Sequence, residues 1–188
     1  MQLHVDEAGT VGPYRERSHE VIKVKDLPLA VEDLRELEMH NKNFQNVKKI
    51  ELSASSTGQV QWKIDSKLKG DERLIERVAG RTFRISGGGF WQVHKKAAEV
   101  LSSAVTEMVA AAGIDKEADN LDLYGGVGLF SGALAAKFGN DLRITSVESF
   151  RQATDDATLN LADLAKAKAV CAPVERFLNE RVGNLDKG

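Results

Sequence analysis

Polar and apolar residues alternate with a period of two in two stretches of the first eighty residues. In "HEVIKVKD", Ile22 and Val24 alternate with Lys23 and Lys25; in "GQVQWKID", Val60, Trp62 and Ile64 alternate with Gln61 and Lys63. Both patterns predict half-buried strands. Between them, "AVEDLRELEMHNKNF" sets Leu34, Leu37 and Phe44 among charges and predicts a short surface helix. "DEAGTVGPY" and "SSTGQ" supply turn residues, and "RLIERVAGR" reads most simply as a solvated helical face, with phosphate contact from its arginines as the lesser alternative.

From Phe83 onward the pattern changes to strands alternating with longer helices. "KKAAEVLSSAVTEMVAAAG" places Ala97, Leu101, Ala104, Val105, Met108 and Ala112 on one helical face, with Gly113 as a C-cap. "NLDLY" is a strand, "SGALAAKFG" a helix closed by Gly139, "LRITSVE" a strand and "RQATDDATLNLADLAKA" a helix. "AVCAPVERFL" holds a third strand and its exit. This alternation predicts an α/β fold with a parallel, doubly wound sheet. It divides the chain into a strand-rich α+β portion, residues 1–82, and a β–α portion, residues 83–188. A parallel sheet ending at its third strand leaves an edge to be covered, so the chain reads as a segment of a longer protein.

Composition narrows the classes. The 188 residues, 42% hydrophobic, suffice for a sizeable core. No apolar run approaches the roughly 18–20 residues that span a bilayer, and the start "MQLHVDEAGTVG" lacks signal-peptide features, which points to the cytoplasm and no membrane partner. A single cysteine, Cys171, excludes an internal disulfide and a multi-cysteine metal site; it reads as a buried strand cysteine. The four histidines show no ligand spacing, so no metal is expected. Basic and acidic residues number 14 and 14 over residues 1–82, then 12 and 14 over residues 83–188, which gives the net charge of −2. Neither half is a basic arm, so contact with nucleic acid requires a folded local patch or another part of the molecule.

Two motifs carry candidate chemistry. In "LDLYGGVGLFSGALAAKFG" a strand meets a glycine bend and then a helix; Gly126 and Gly128 flank Val127, and Asp122 stands at the strand end. Glu148 follows Gly128 by twenty residues, at the tip of the second strand. Glycines let the backbone approach a ligand, and a carboxylate at the second strand tip accepts ribose hydroxyls. The alternative is a tight strand-to-helix turn beside a solvated glutamate. The dinucleotide fingerprint G-x-G-x-x-G fails at its last place, where Ser131 stands, which disfavours a nicotinamide cofactor. The second motif is "FRISGGGFWQVHKKAAEVL", whose Gln92 amide can bind a ligand's polar groups beside Phe90 or Trp91. Its structural alternative is a hairpin-like bend whose aromatics anchor the next helix.

Together with "SVESFRQATDDATLN" and the upstream "GPYRERSHEVIKVKDLPLAVEDL", these motifs resemble the RNA uracil-5-methyltransferases, which form 5-methyluridine in transfer or ribosomal RNA. The F-x-Q-V element paired with D-L-Y-x-G-x-G is far narrower than a glycine loop alone. The resemblance implies a Rossmann-like S-adenosylmethionine-dependent methyltransferase domain, incomplete here. It also implies that Gln92, Tyr124 and Glu148 contact S-adenosylmethionine, with the backbone of Gly125, Gly126, Val127 and Gly128 beneath its methionine portion. Departures from the family pattern are His94 after Q-V, Leu129, and the absence of Asp or Asn at the third strand tip in "CAPVE". The family's reaction uses a cysteine that adds to C6 of uracil and a base that removes the C5 proton, both after a D-P-P-R segment. None of these motifs occurs in the 188 residues. The expectation is a cofactor-binding portion, RNA-directed through its parent protein, without turnover of its own. Two rivals remain: a non-catalytic S-adenosylmethionine- or RNA-binding module, and a nicotinamide-dependent oxidoreductase fragment.

Overall fold

A computed structural model describes residues 1–65, 67–87, 90–92 and 94–185. Gly88, Gly89 and Val93 of the glycine–aromatic motif, Ser66, and the last three residues of "NLDKG" lie outside the described residues. The chain divides into two compact units, residues 1–74 and 75–188.

The first unit is built on an antiparallel sheet ordered β2-β1-β3-β4-β5, formed by Gln2–Val5 (β1), Val11–Gly12 (β2), Lys49–Ala54 (β3), Val60–Ile64 (β4) and Lys67–Gly70 (β5). Leu3 pairs with Ile50, Ile50 with Ile64, and Leu52 with Trp62, so one face is continuously apolar. Leu27, Leu34 and Met39 close over it. The strand predicted in "GQVQWKID" is present, but Gln61 on its other face is buried too, its amide donating to the carbonyls of Asp71 (2.6 Å) and Glu72 (3.1 Å). "HEVIKVKD" is not a strand. Only an isolated bridge joins Val21 to Tyr14, because Pro13 opposite has no N–H with which to extend a ladder. The helix predicted in "AVEDLRELEMHNKNF" is one turn, Glu32–Arg35 (α1), followed by a 3-10 turn at Met39–Asn41. Glu38, with φ of 47°, stops the helix between them.

The second unit carries the β–α alternation. Its parallel sheet has the order β10-β9-β8, from Asn120–Leu123 (β8), Ile144–Glu148 (β9) and Ala167–Cys171 (β10). Asn120, Ile144 and Ala167 are level at one end, and Glu148 and Cys171 at the other. Helices Leu129–Phe138 (α3) and Arg151–Asn160 (α4) are the crossovers, and Val174–Leu185 (α5) follows β10. Pro173 immediately precedes α5, a position where its missing N–H costs nothing. Cys171 is half-buried rather than buried, since it lies at the strand's exposed end, where its thiol meets the Ser149 carbonyl oxygen at 3.7 Å.

Two predicted elements of this unit are corrected. Ala97–Ala112 is a helix (α2), but its buried face is Ala98 and Ser102, continued by the half-buried Val105 and Val109. Leu101 and Met108 are exposed. Small Ala98 and Ser102 allow α2 to approach its neighbours closely, which turns the larger apolar residues outward. "RLIERVAGR" is not helical: Arg73–Val78 (β6) and Arg81–Ser86 (β7) form a hairpin. Ala79 and Gly80 both have positive φ, 51° and 74°, as a two-residue type I′ turn requires.

Helix α4 manages the free edge of β7 with side chains. Asp156 accepts the Ser86 N–H and hydroxyl, both at 2.7 Å. One turn on, Asn160 accepts the Arg84 N–H (2.8 Å) and donates to the carbonyls of Arg84 and Val127, both at 3.0 Å. Both side chains are almost wholly buried. The helix thus substitutes for a missing strand partner and reaches the glycine bend at Val127.

Replacing Asn160 with Ala strands the Arg84 N–H and the Val127 carbonyl. The expected loss of stability in urea denaturation is about 2–4 kcal/mol, since unpaired buried groups carry their desolvation cost. Asn160→Asp, which loses the donor and sets a buried carboxylate against two carbonyl oxygens, is expected to cost at least as much.

Candidate functional site

The site lies at the ends of β8 and β9, where parallel strands of an α/β sheet deliver the chain to its ligand-facing loops. Tyr124 leaves β8 with φ of 61°, a left-handed conformation that a bulky residue adopts only when its surroundings enforce it. Its ring is 69% exposed, and its hydroxyl donates to Glu175 of α5 at 3.0 Å. That bond holds the Glu175 carboxyl below the usual range, after the larger effect of the residue's own backbone N–H, and pushes the Tyr124 phenol up.

The glycines that follow serve different needs. A Cβ on Gly125 would stand 2.0 Å from Ser146 Oγ and 3.2 Å from both Ser146 Cβ and the Asp122 carbonyl oxygen. Here glycine allows the bend to lie directly on β9. Gly128, φ 85°, opens α3 against Leu161, which a Cβ would meet at 3.2 Å. Gly126 differs: its φ is 55°, and nothing lies within 4 Å of where a Cβ would stand. Val127 between them is buried and closes the bend from below.

Glu148 is joined to this bend. Its Oε2 accepts the Gly126 N–H at 3.2 Å, while Oε1 accepts the Phe150 N–H at 2.7 Å and the Ser149 hydroxyl at 3.3 Å. Because each carboxylate oxygen has two lone pairs, Oε2 keeps one acceptor site open, and the long Ser149 bond is readily exchanged. The structure therefore brings Tyr124, Gly125, Gly126, Val127, Gly128 and Glu148 to one place. Gln92 enters differently. Its neighbour Trp91 packs, as Phe130 does, against the cluster of Val78, Phe83, Ala98 and Leu129, and no hydrogen bond ties Gln92 to the bend among the described residues. The aromatic anchor and the amide of the second motif are thus compatible roles for neighbouring residues.

Asp122 and Ser131 are the site's unforeseen supports. Asp122 Oδ2 accepts the Ser131 N–H (3.0 Å) and hydroxyl (2.7 Å), pinning the first turn of α3 to the end of β8. Ser131 is wholly buried. The place where a dinucleotide fingerprint has its third glycine is therefore filled by a side chain with a structural task. The signal was the pairing of Asp122 with Ser131 nine positions on, which neither residue shows alone. Among the described residues, no three His, Cys, Asp or Glu side chains are placed to share a metal ion.

No protein-family model matches the chain. An uncharacterized RNA methyltransferase of Streptomyces avermitilis is 30% identical over 95% of this chain and 47% of its own length. The tRNA (uracil-5-)-methyltransferase homolog A of Mus musculus is 32% identical over 63% of this chain and 19% of its own. The chain's homologues are thus named RNA methyltransferases, tRNA (uracil-5-)-methyltransferase homologues among them. The crystal structure of Pyrococcus abyssi tRNA (uracil-54, C5)-methyltransferase with S-adenosyl-L-homocysteine superposes with a TM-score of 0.66 at 17% identity, covering 92% of this chain and 54% of that one. That likeness establishes the fold as Rossmann-like α/β. The chain spans about half the length of the curated relatives it matches.

Burial, the larger influence, raises Asp122 above the usual carboxylate range, and the two Ser131 bonds oppose it. A carboxyl raised on folding imposes a cost at neutral pH that is relieved as pH falls through the folded value toward the unfolded one. In urea denaturation, wild type is expected to gain stability relative to Asp122→Asn on going from about pH 7 to about pH 4. A difference independent of pH would show that Asp122 titrates normally.

Proposed function

We propose that this chain is the S-adenosylmethionine-holding portion of an RNA (uracil-C5) methyltransferase. The whole protein would transfer a methyl group to uridine in transfer or ribosomal RNA, in the cytoplasm. The observation that carries the reading is the Gly126–Glu148 pairing: an open glycine backbone and a carboxylate with a spare acceptor site meet at the strand ends. The relatives' names supply the reaction class.

The residues fit an adenosyl ligand. Glu148 would accept a ribose hydroxyl at its open Oε2 site, exchanging the weak Ser149 bond for a second. Gly126, lacking a Cβ and already turned to positive φ, would let the methionine portion lie on the backbone from Gly125 to Gly128. Tyr124, tethered to Glu175, would present its ring to a cationic centre, which aromatic faces attract. Gln92 would donate or accept at the ligand's polar groups. When bound, S-adenosylmethionine supplies an electrophilic methyl group on a sulfonium. The chain's contribution is to hold and orient, and its interior rigidity serves that end.

Cys171, level with Glu148 on the neighbouring strand, has its thiol 3.7 Å from the Ser149 carbonyl oxygen, and the Glu148 carboxylate is engaged by the N–H groups of Gly126 and Phe150. The methyl-accepting chemistry is accordingly assigned to the rest of the parent protein. The nicotinamide rival is disfavoured by the Asp122–Ser131 pin, which fills the third-glycine position.

Calorimetry tests the reading. S-adenosylhomocysteine is expected to bind one to one, and Glu148→Ala to weaken it roughly 10- to 100-fold, as the loss of charge-assisted hydrogen bonds implies. NADH is expected not to compete, and the 188 residues are expected not to methylate RNA. Displacement of the ligand by NADH, or an unaffected Glu148→Ala variant, would overturn the assignment.

A further inference from the structure

Of the chain's eleven arginines, eight are within ion-pair distance of a carboxylate. The other three, Arg73, Arg77 and Arg84, have no such partner among the described residues, and all three belong to the β6–β7 hairpin. Arg77 and Arg84, both in the second unit, share a face. A two-residue turn sets Arg77 opposite Thr82, and alternation along β7 returns Arg84 to the same side. All three are exposed, whereas Val78, Phe83 and Ile85 on the other face are buried. Unpaired guanidiniums gathered on one rigid face contrast with a chain whose net charge is −2 and whose arginines are otherwise neutralised in place.

A second observation lies beside them. An open concavity of about 410 Å³ is lined by Gly80, Thr82, Arg84, Leu159, Asn160 and Ala162. The one carboxylate at its edge, Asp163, is engaged in a two-pronged pair with Arg81, which holds it below the usual range. Its negative charge is therefore already compensated. Leu159 is 46% exposed and gives the concavity an apolar wall. The hollow thus combines cation, hydroxyl donor and apolar contact, the elements that phosphate, sugar and base each require.

We propose that the outer face of the β6–β7 hairpin, through Arg77, Thr82 and Arg84, binds the phosphate backbone of the RNA strand that the site serves. Guanidinium forks match phosphate oxygens in two-pronged geometry, and Thr82 adds a donor between them. Helix α4 has ten residues, Arg151 near Glu148 and Asn160 at the concavity, a separation of about 13.5 Å along its axis. At about 3.4 Å per nucleotide of a stacked strand, the phosphates held here would lie about four nucleotides from the one at the cofactor end. The inference rests on the RNA reading above. It gives a nearly neutral chain a local cationic contact surface.

The test is the salt dependence of binding of a labelled oligouridylate to the 188-residue chain, with S-adenosylhomocysteine binding measured on the same samples. Each single-strand phosphate contact contributes about 0.7 to the slope of log K against log salt. The double variant Arg77→Gln/Arg84→Gln is expected to lose about 1.4 of that slope and roughly tenfold or more in affinity, with S-adenosylhomocysteine binding unchanged. The Arg77→Lys/Arg84→Lys variant, which keeps the charge, is expected to restore most of the slope. An unchanged slope in the glutamine variant, with cofactor bound normally, would overturn the hairpin proposal and leave the methyltransferase reading intact. So would binding of anionic phospholipid vesicles, but not RNA, by wild type. Failure of wild type to bind S-adenosylhomocysteine would instead overturn the functional reading.

Discussion

Close contact between the glycine bend and the second strand is the constraint on which the site depends. Gly125 lies so near Ser146 that any side chain would collide with it, and the bend is fixed there by the Gly125 N–H bond to the Val147 carbonyl at 3.0 Å. Once the backbone is held against β9, the Gly126 N–H can only point toward the strand tip, where it meets Glu148. Asn160 supports the next residue from below through the Val127 carbonyl, and Asp122 fixes the helix start through Ser131. The bend is thus determined from three sides by hydrogen-bonded polar groups, Asn160 buried and Glu148 and Asp122 half-buried. Such networks rigidify because leaving any member unpaired is costly.

This arrangement separates duties that a glycine motif confounds. Gly125 and Gly128 are glycines for packing, and Gly126 is the one that offers its backbone outward. The strained φ of Tyr124 belongs to the same arrangement: an aromatic residue is held in an unfavourable conformation at the start of the bend, with its hydroxyl tethered to α5. Recognition would therefore draw on preformed geometry, which lowers the ordering cost of binding.

The parallel strands and their helices were legible in the chain because "NLDLY", "LRITSVE" and "SGALAAKFG" carry short apolar runs; Ile144, Val147 and Ala133 to Ala135 are buried accordingly, whereas β8, at the sheet edge, is only half-buried and its Leu123 exposed. Other elements were not. In "RLIERVAGR" the spacing of Leu74 and Val78 imitates a helix, while Glu76 occupies an inward strand position and disguises the period of two. The face of α2 was misread because small residues, Ala98 and Ser102, make its closest contacts, and larger apolar neighbours remain outside. "HEVIKVKD" alternates correctly, yet a proline on the opposing segment denies it a ladder. Within the site, the bend and Glu148 were visible from their spacing. The pairings of Asp122 with Ser131, Asp156 with Ser86 and Asn160 with Arg84 were not, since each is an ordinary polar residue until the fold supplies its partner.

The most direct measurement is the amide chemical-shift map of the isotope-labelled chain on titration with S-adenosylhomocysteine. The largest perturbations are expected on Tyr124 to Gly128 and on Glu148 to Phe150, with the Gly126 amide shifting most as its bond to Glu148 adjusts. Perturbations confined elsewhere, or none at saturating ligand, would contradict the claim that this bend is a cofactor site.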